Sequence, residues 1–253
     1  LQRYAYPDWY EQHQDRDRKL KVSYTHGGGE ARCIQLRGEY LFVAEGEKGF
    51  RAYDVASIAN KGISQRIIKA PFSALGHDTH IASKNATCMA LPTNQPIAPT
   101  RMYGDEARQK LMLEDNQEQP IHPIYSYAFV TDAEEGLIAV NVDTLADGEP
   151  RNNFFERALT WNEGGVLTGA QHITIAGHYF YISTDRGVVV LNMNDPLNPQ
   201  VIANLPFAGA RATAVQFRYL FVLDGQGFHT VDISDVAQPR VVDGATVPLA
   251  DAH

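Results

Sequence analysis

Two cysteines and two histidines occupy matching places in a repeated sequence unit, and thiolate and imidazole groups are ligands that soft metals prefer. Counted from the start of the strand that opens each unit, the matching positions hold Cys33, Cys88, His172 and Ala214, with His253 next if the units continue. If these strands surround one axis and line its channel, the side chains could hold a metal or contact a haem edge. The alternative is that they are packing residues between units, since free cysteines commonly behave as buried hydrophobic groups.

A disulfide between Cys33 and Cys88 is a further alternative, because exported proteins retain disulfides. The bond requires the two Cα atoms to lie within about 7 Å, and equivalent positions in neighbouring units need not meet that limit. The sequence contains no CxxC or CxxCH, so neither a zinc knuckle nor a covalently attached haem is encoded in this segment. A haem would have to be held elsewhere in the full chain or by a partner.

Three more histidines lie in segments that we interpret as loops. His77 and His80 form an i, i+3 pair in the sequence GHDTH, and His122 lies in the proline-rich sequence QPIHP. An imidazole in such a loop could be an axial ligand to a haem that another segment holds. The alternative is that all three are solvent-exposed loop side chains.

The unit that contains these residues occurs four times, and its clearest copy is YLFVLDGQGFHTVDISDVAQPRVV from Tyr219 to Val242. Each copy has an aromatic-led strand, a turn glycine, and a hydrophobic strand that ends at Asp or Asn. The aligned glycines are Gly49, Gly136, Gly187 and Gly227, and the aligned Asx residues are Asp54, Asn141, Asn192 and Asp232. Glycine lets the chain reverse with positive φ, and an Asx side chain can end a strand by bonding nearby backbone.

These repeats predict an all-β fold, a β-propeller built from four-stranded blades. An inner strand precedes each copy, and a short outer strand follows it. Such a sheet cannot bury both faces alone, so the units must stack face to face around an axis. The alternative is a sandwich of ordinary hairpins, which does not normally repeat whole sheets in register.

The chain divides into a connector and a blade region. We expect residues 1–30 to be an N-terminal connector and residues 31–253 to be propeller, with blades at about 31–71, 86–160, 170–207 and 212–249. An insertion at 92–123 is polar and contains several prolines, and long excursions of this kind often bind partners. The last residues, PLADAH, resemble LTGAQH at the opening of the third blade. This predicts the start of a fifth blade and a larger propeller, with a compact four-bladed ring as the alternative.

Composition excludes some functions. The 253 residues are 44% hydrophobic and have a formal net charge of −8, which argues against nucleic acid as the partner because phosphate binding needs a basic surface. The longest apolar runs are only a few residues, so we expect no transmembrane segment.

The blade sequence resembles the LVIVD-repeat family of β-propellers. The matching stretches are GVVVLNMNDPLNP from Gly187 and GFHTVDISDVAQP from Gly227, which share the family's glycine, hydrophobic run, Asp or Asn, short polar stretch and proline. The resemblance covers about Ala31–Leu249 and is clearest in the third and fourth blades. It implies a bacterial or archaeal exported protein that is periplasmic, on the cell surface or extracellular. Some members of the family are joined to, or encoded near, multihaem cytochromes.

We therefore expect a non-catalytic binding or scaffold module of a larger exported protein or complex. The resemblance makes a protein partner the expected ligand, with a multihaem cytochrome in electron transfer as one candidate. One alternative is an enzyme whose site lies at the mouth of the propeller channel. Another is a structural repeat of a filament or surface layer. Because function belongs to a site rather than to a fold, the choice among these three functions depends on the geometry of the site.

Overall fold

The protein's structure is a computed structural model that describes residues 29–55, 68–69, 79–97, 99, 110, 121–147 and 154–249. Within these residues the chain forms four antiparallel sheets, and the strands of each sheet are paired in sequence order. Each sheet is one blade. The predicted all-β propeller of four-stranded blades is confirmed. His77 and His253, residues 1–28 of the predicted connector at 1–30, and most of the insertion lie outside the described residues.

In the described residues the first two blades contain nine strands. The first blade has β1 (Cys33–Arg37), β2 (Tyr40–Ala44), β3 (Phe50–Asp54) and β4 (Ile68–Lys69), and β5 (His80–Ile81) also pairs with β3. The second has β6 (Ala86–Ala90), β7 (Tyr127–Asp132), β8 (Gly136–Asn141) and β9 (Glu156–Trp161).

The last two blades follow the same plan. The third has β10 (His172–Ala176), β11 (Tyr179–Thr184), β12 (Gly187–Asn192) and β13 (Gln200–Leu205). The fourth has β14 (Ala212–Gln216), β15 (Tyr219–Leu223), β16 (Gly227–Asp232) and β17 (Arg240–Val241), and β18 (Val247–Pro248) also pairs with β16.

The register between the second and third strands is the same in every blade. The tyrosine that opens the second strand pairs with the aligned Asx residue: Tyr40 with Asp54, Tyr127 with Asn141, Tyr179 with Asn192, and Tyr219 with Asp232. The Oδ1 atoms of Asn141, Asn192 and Asp232 each accept a hydrogen bond from the backbone N–H two residues later, at 2.8 to 2.9 Å. That bond supports the turn that follows the strand.

The aligned glycines do more than allow a turn. At all four positions φ is positive, and an added Cβ would lie less than 3.0 Å from a backbone carbonyl oxygen of the segment that crosses behind the hairpin. At Gly187 that oxygen belongs to Leu205 in β13, and at Gly227 it belongs to Val247 in β18. The glycine therefore allows the outer part of the blade to approach the hairpin closely.

The hydrophobic core consists of layers between successive blades, which explains why strands in the middle blades are buried on both faces. We call the face toward the next blade the front and the opposite face the back. The front of the first blade, with Phe42 and Phe50, packs against the back of the second at Val130 and Ile138. The front of the second packs on the back of the third, where the Phe129 and Phe180 rings meet edge-on at 4.5 Å. The third and fourth blades pack in the same way.

Candidate functional site

A polar cavity lies where the inner strands of the first three blades begin, at one mouth of the channel. Its volume is about 410 Å³. Side chains from three blades line it: Arg32 from the first, Asn85 and Thr87 from the second, Gln171 and Asp185 from the third. We call this cavity the channel mouth.

Hydrogen bonds hold the side chains of the channel mouth in place. Arg32 Nη1 donates to Asn85 Oδ1 at 2.6 Å, which links the first and second blades. Gln171 Nε2 donates to Asp185 Oδ1 at 3.0 Å. The mouth thus presents a guanidinium on one wall and a carboxylate on the opposite wall, with amide groups beside both. This arrangement can bind a polar ligand through donors and acceptors together.

The backbone around the channel mouth is fixed by a buried carboxylate. Asp132, at the end of β7, is fully buried and accepts through Oδ1 from the backbone N–H groups of Glu134 and Glu135, at 2.8 and 2.9 Å. Its Oδ2 accepts from the Asn85 backbone N–H at 2.6 Å. Thr87 donates to the Ala170 carbonyl at 2.9 Å and so joins the second blade to the third. The polar groups of the mouth therefore stand on a rigid frame.

The two cysteines form a disulfide. Their Cα atoms are 4.8 Å apart, within the limit for such a bond, and the bond joins the inner strands of the first and second blades. Neither sulfur is therefore a thiolate that could bind a metal. The sequence left open a metal or haem contact, a packing role and a disulfide for these two cysteines, and the structure shows the disulfide.

Cys33, Cys88 and His172 hold the same place in their blades, since each pairs with a second-strand residue near the hairpin turn. The equivalent residue of the fourth blade is Ala212, which pairs with Leu223. The prediction of Ala214 is wrong by two residues. The position was counted from Ala212, which is already the first residue of β14. The count should have begun at Ala210, the alanine that precedes the inner strand in this blade.

His172 contacts the neighbouring blade. Its Nδ1 accepts from the Thr213 backbone N–H at 3.3 Å, and burial lowers the pKa of the imidazole. The neutral form is therefore favoured, and the side chain connects the third and fourth blades.

His80 and His122 both contact backbone atoms. His80, in β5, has its Nε2 2.6 Å from the Lys48 carbonyl oxygen. His122 Nδ1 accepts from the Ile124 backbone N–H at 3.1 Å and so caps the short 3-10 turn Pro123–Ser126. Among the residues that the structure describes, no three or more His, Cys, Asp or Glu side chains are grouped to hold a metal ion.

Sequence reasoning missed the residues that line the channel mouth. Arg32, Gln171 and Arg211 are equivalent, because each donates its backbone N–H to the second-strand residue near the turn of its blade. A long polar side chain directly before the inner strand is the one signal that could have indicated them.

A second cavity, on the side of the second blade, is lined by carboxylates. Its volume is about 230 Å³, and Asp143, Asp147 and Glu156 line it. Asp143 Oδ1 is buried without a hydrogen-bond partner among the described residues. Burial is the largest effect on Asp143, and it raises the pKa of the carboxyl from 3.8 to about 6, although a hydrogen bond from Ser126 and the charge of Arg37 act in the opposite direction.

The raised pKa predicts that Asp143→Asn stabilises the protein at neutral pH. Because the folded pKa lies above the unfolded one, the stabilising contribution of the neutral acid is complete below about pH 4 and is lost as the pH rises through 6. Asp143 is partly exposed, so we discount the full shift and expect a gain of about 1 kcal/mol at pH 7, with little difference from the parent protein at pH 4.

Urea unfolding at pH 4, 5, 6 and 7 measures this effect. Asp243→Asn, which removes an exposed carboxylate from a turn, is the control and should change the free energy of unfolding equally at all four pH values. A loss of stability in Asp143→Asn at pH 7 would show that the charge of Asp143 stabilises the buried Arg37.

Four radially arranged antiparallel sheets with a polar channel mouth define a β-propeller protein. Three segments, 28–61, 169–205 and 209–244, match the LVIVD repeat. The chain is thus an LVIVD-repeat β-propeller, as the resemblance of its third and fourth blades implies. The first blade matches the repeat as well.

No curated protein matches the sequence. Among solved structures, the computationally designed Ika8 protein is similar with a TM-score of 0.51 and 8% identity, over 86% of this chain and 50% of that one. A protein from Lactobacillus plantarum is similar with a TM-score of 0.54 and 11% identity, over 90% of this chain and 59% of that one. At such low identity the likeness concerns the fold alone. The chain spans about half the length of these structures.

Among the described residues, no helix is both long enough and apolar enough to span a bilayer.

Proposed function

We propose that the protein is a non-catalytic binding module whose contact surface is the channel mouth and the loops around it. The observation that supports this most directly is the placement of Arg32, Asn85 and Asp185, which come from three blades and surround one cavity. A surface assembled from several blades exists only in the folded array, as is usual for ligand sites on repeat scaffolds.

The chemistry of the channel mouth favours a polar ligand. The guanidinium of Arg32 can donate to a carboxylate or carbonyl, and the carboxylate of Asp185 accepts from amide or ammonium groups. Gly169 leaves room for that carboxylate, because an added Cβ there would lie less than 3.0 Å from it. An exposed loop of a partner protein, with backbone and side-chain groups of both kinds, fits this arrangement.

The setting that we propose is an exported complex. The Cys33–Cys88 disulfide supports it, because such bonds persist mainly in oxidising compartments. The LVIVD repeats support it through the family resemblance, which also suggests a multihaem cytochrome as the partner. In that complex the haem groups belong to the partner or to another part of the full protein, and the propeller supplies the docking surface.

The test is capture of a partner by the immobilised chain from the exported protein fraction of the source organism. Bound proteins are identified by mass spectrometry and stained for covalent haem. We expect one haem-stained protein to be retained by the parent chain and lost from the double variant Arg32→Ala/Asp185→Ala. The control is Arg240→Ala/Asp243→Ala, which removes the same pair of charges from the exposed end of the fourth blade.

Equal capture by the mouth variant and the control would overturn the channel mouth as the contact surface. A captured partner without haem would overturn the electron-transfer setting and leave the binding function standing. Turnover of a small molecule by the chain, abolished in the mouth variant, would favour the enzyme instead.

A further inference from the structure

A cleft of about 270 Å³ lies where the second blade leads into the third, and it shares no lining residue with the channel mouth. One wall is Val166, in the loop that follows β9. The opposite wall is the hairpin end and the outer strand of the third blade, with Val188, Val189 and Leu205. These last three side chains are buried. The cleft is therefore bounded by apolar groups on both sides.

The loop that carries Val166 is longer than its counterpart after β13. Trp161 and Leu205 are equivalent, because each pairs with the residue after the aligned glycine of its blade. Gly169 and Gly209 are equivalent as well, since each donates its N–H to a carbonyl of the preceding hairpin turn. Trp161 and Gly169 are eight positions apart, whereas Leu205 and Gly209 are four apart. The longer loop supplies one wall of the cleft.

Larger side chains stand at the same place in the next layer, between the third and fourth blades. His229 is equivalent to Val189, since each is the second residue after its aligned glycine. The His229 ring lies 4.9 Å from the Phe207 ring, and its Nδ1 is 3.4 Å from the Thr246 hydroxyl. Phe207 is equivalent to Leu167, because the carbonyl of each accepts from the alanine that precedes the inner strand. Valine and leucine thus replace histidine and phenylalanine beside the cleft, and the smaller side chains leave apolar space there.

The polar groups of the cleft leave its interior apolar and place one cation at its edge. The Thr184 hydroxyl is used within the hairpin, because it donates to the Gly187 carbonyl at 3.0 Å. Arg186 Nη2 donates to the Gly165 carbonyl at 2.6 Å, so the guanidinium reaches from the third blade to the loop. Its other N–H groups and the Asn204 amide, which also lines the cleft, make no hydrogen bond within the described residues. These groups can donate to an anion at the edge.

We propose that the cleft binds a small amphipathic carboxylate. Its apolar chain or ring lies between Val166 and Val189, and its carboxylate accepts hydrogen bonds from Arg186. Cavities lined by aliphatic side chains hold apolar ligands in preference to water. At the volume that each water molecule takes in the liquid, the cleft holds about nine non-hydrogen atoms, which is the size of hexanoate or benzoate. The proposal does not depend on what binds at the channel mouth.

Titration with hexanoate, hexanol and acetate tests this, followed by NMR of the backbone amides and the valine methyl groups. We expect hexanoate to shift the methyl signals of Val166 and Val189. It should bind about tenfold more tightly than hexanol, which has the chain without the charge. Acetate, which has the charge without the chain, should shift neither signal. Arg186→Gln should lower the affinity for hexanoate to that for hexanol. Arg240→Gln, which removes an exposed arginine from the fourth blade, is the matched control.

Three results would overturn the proposal. Equal affinities of the parent protein for hexanoate and hexanol would show that the cleft does not select a carboxylate, and this comparison needs no variant. Shifts confined to the backbone amides of Arg32 and Gln171 would place the anion at the channel mouth instead. Unshifted Val166 and Val189 signals up to the solubility limit of hexanoate would show that the cleft takes no ligand of this class.

Discussion

Removing the disulfide between Cys33 and Cys88 is expected to lower the free energy of unfolding by about 4 kcal/mol. The two residues are separated by 55 positions, and a crosslink that closes a loop of this length removes that amount of chain entropy from the unfolded state. The bond also fixes the inner strand of the first blade on that of the second. Urea unfolding of the double variant Cys33→Ala/Cys88→Ala, compared with the oxidised parent protein, measures the difference.

The reduced parent protein is the natural control for this experiment. In the presence of dithiothreitol the parent and the double variant should unfold at nearly the same urea concentration, because both then lack the crosslink. If the reductant does not change the unfolding midpoint of the parent, the sulfurs are not bonded in solution. If the double variant is as stable as the oxidised parent protein, the crosslink does not stabilise the fold.

Gly187→Ala is expected to destabilise the protein by about 3 kcal/mol or more. The backbone at Gly187 has φ of 147°, and the new Cβ would lie less than 3.0 Å from the Leu205 carbonyl oxygen. That oxygen belongs to the backbone of β13, so the outer strand must move away and lose pairing. Thermal and urea unfolding measure the loss.

Gly177→Ala separates the two causes of this loss. Gly177 also has positive φ, at 63°, but an added Cβ would meet nothing within 4 Å. Its substitution should cost only the conformational penalty, about 1 kcal/mol. Equal losses in the two variants would mean that the close approach of β13 contributes nothing.

The repeat made the blade hairpins predictable. The strand, glycine and strand of each copy form the expected hairpin, in which the opening tyrosine pairs with the aligned Asx residue. A two-stranded hairpin with a glycine turn fixes its own register locally. The inner strand was less certain, since it is joined to the hairpin by a separate turn, and the position equivalent to Cys33 and His172 was placed two residues late in the fourth blade.

The candidate site could not be predicted in the same way. The contact between Arg32 and Asn85 joins residues of different blades, and so does the contact between Thr87 and Ala170. Such contacts depend on the angle between neighbouring sheets, which no local pattern encodes. The Cys33–Cys88 disulfide depends on the same angle. For that reason the sequence left it as one of several alternatives, although both cysteines were correctly matched.

The disulfide crosslinks the first and second blades, and the other two contacts between the described blades have no covalent bond. The first and fourth blades therefore differ in how firmly each is attached to its neighbour. In a stack where each unit contacts only its neighbours, the end units open most easily. Among the described blades, the first and the fourth each pack against one other blade. The first is held to its neighbour by a covalent bond, whereas the fourth is held by packing and hydrogen bonds. Fluctuations should therefore begin at the fourth blade and proceed inward, so that amide protons in β15 and β16 exchange with solvent sooner than those in β2 and β3.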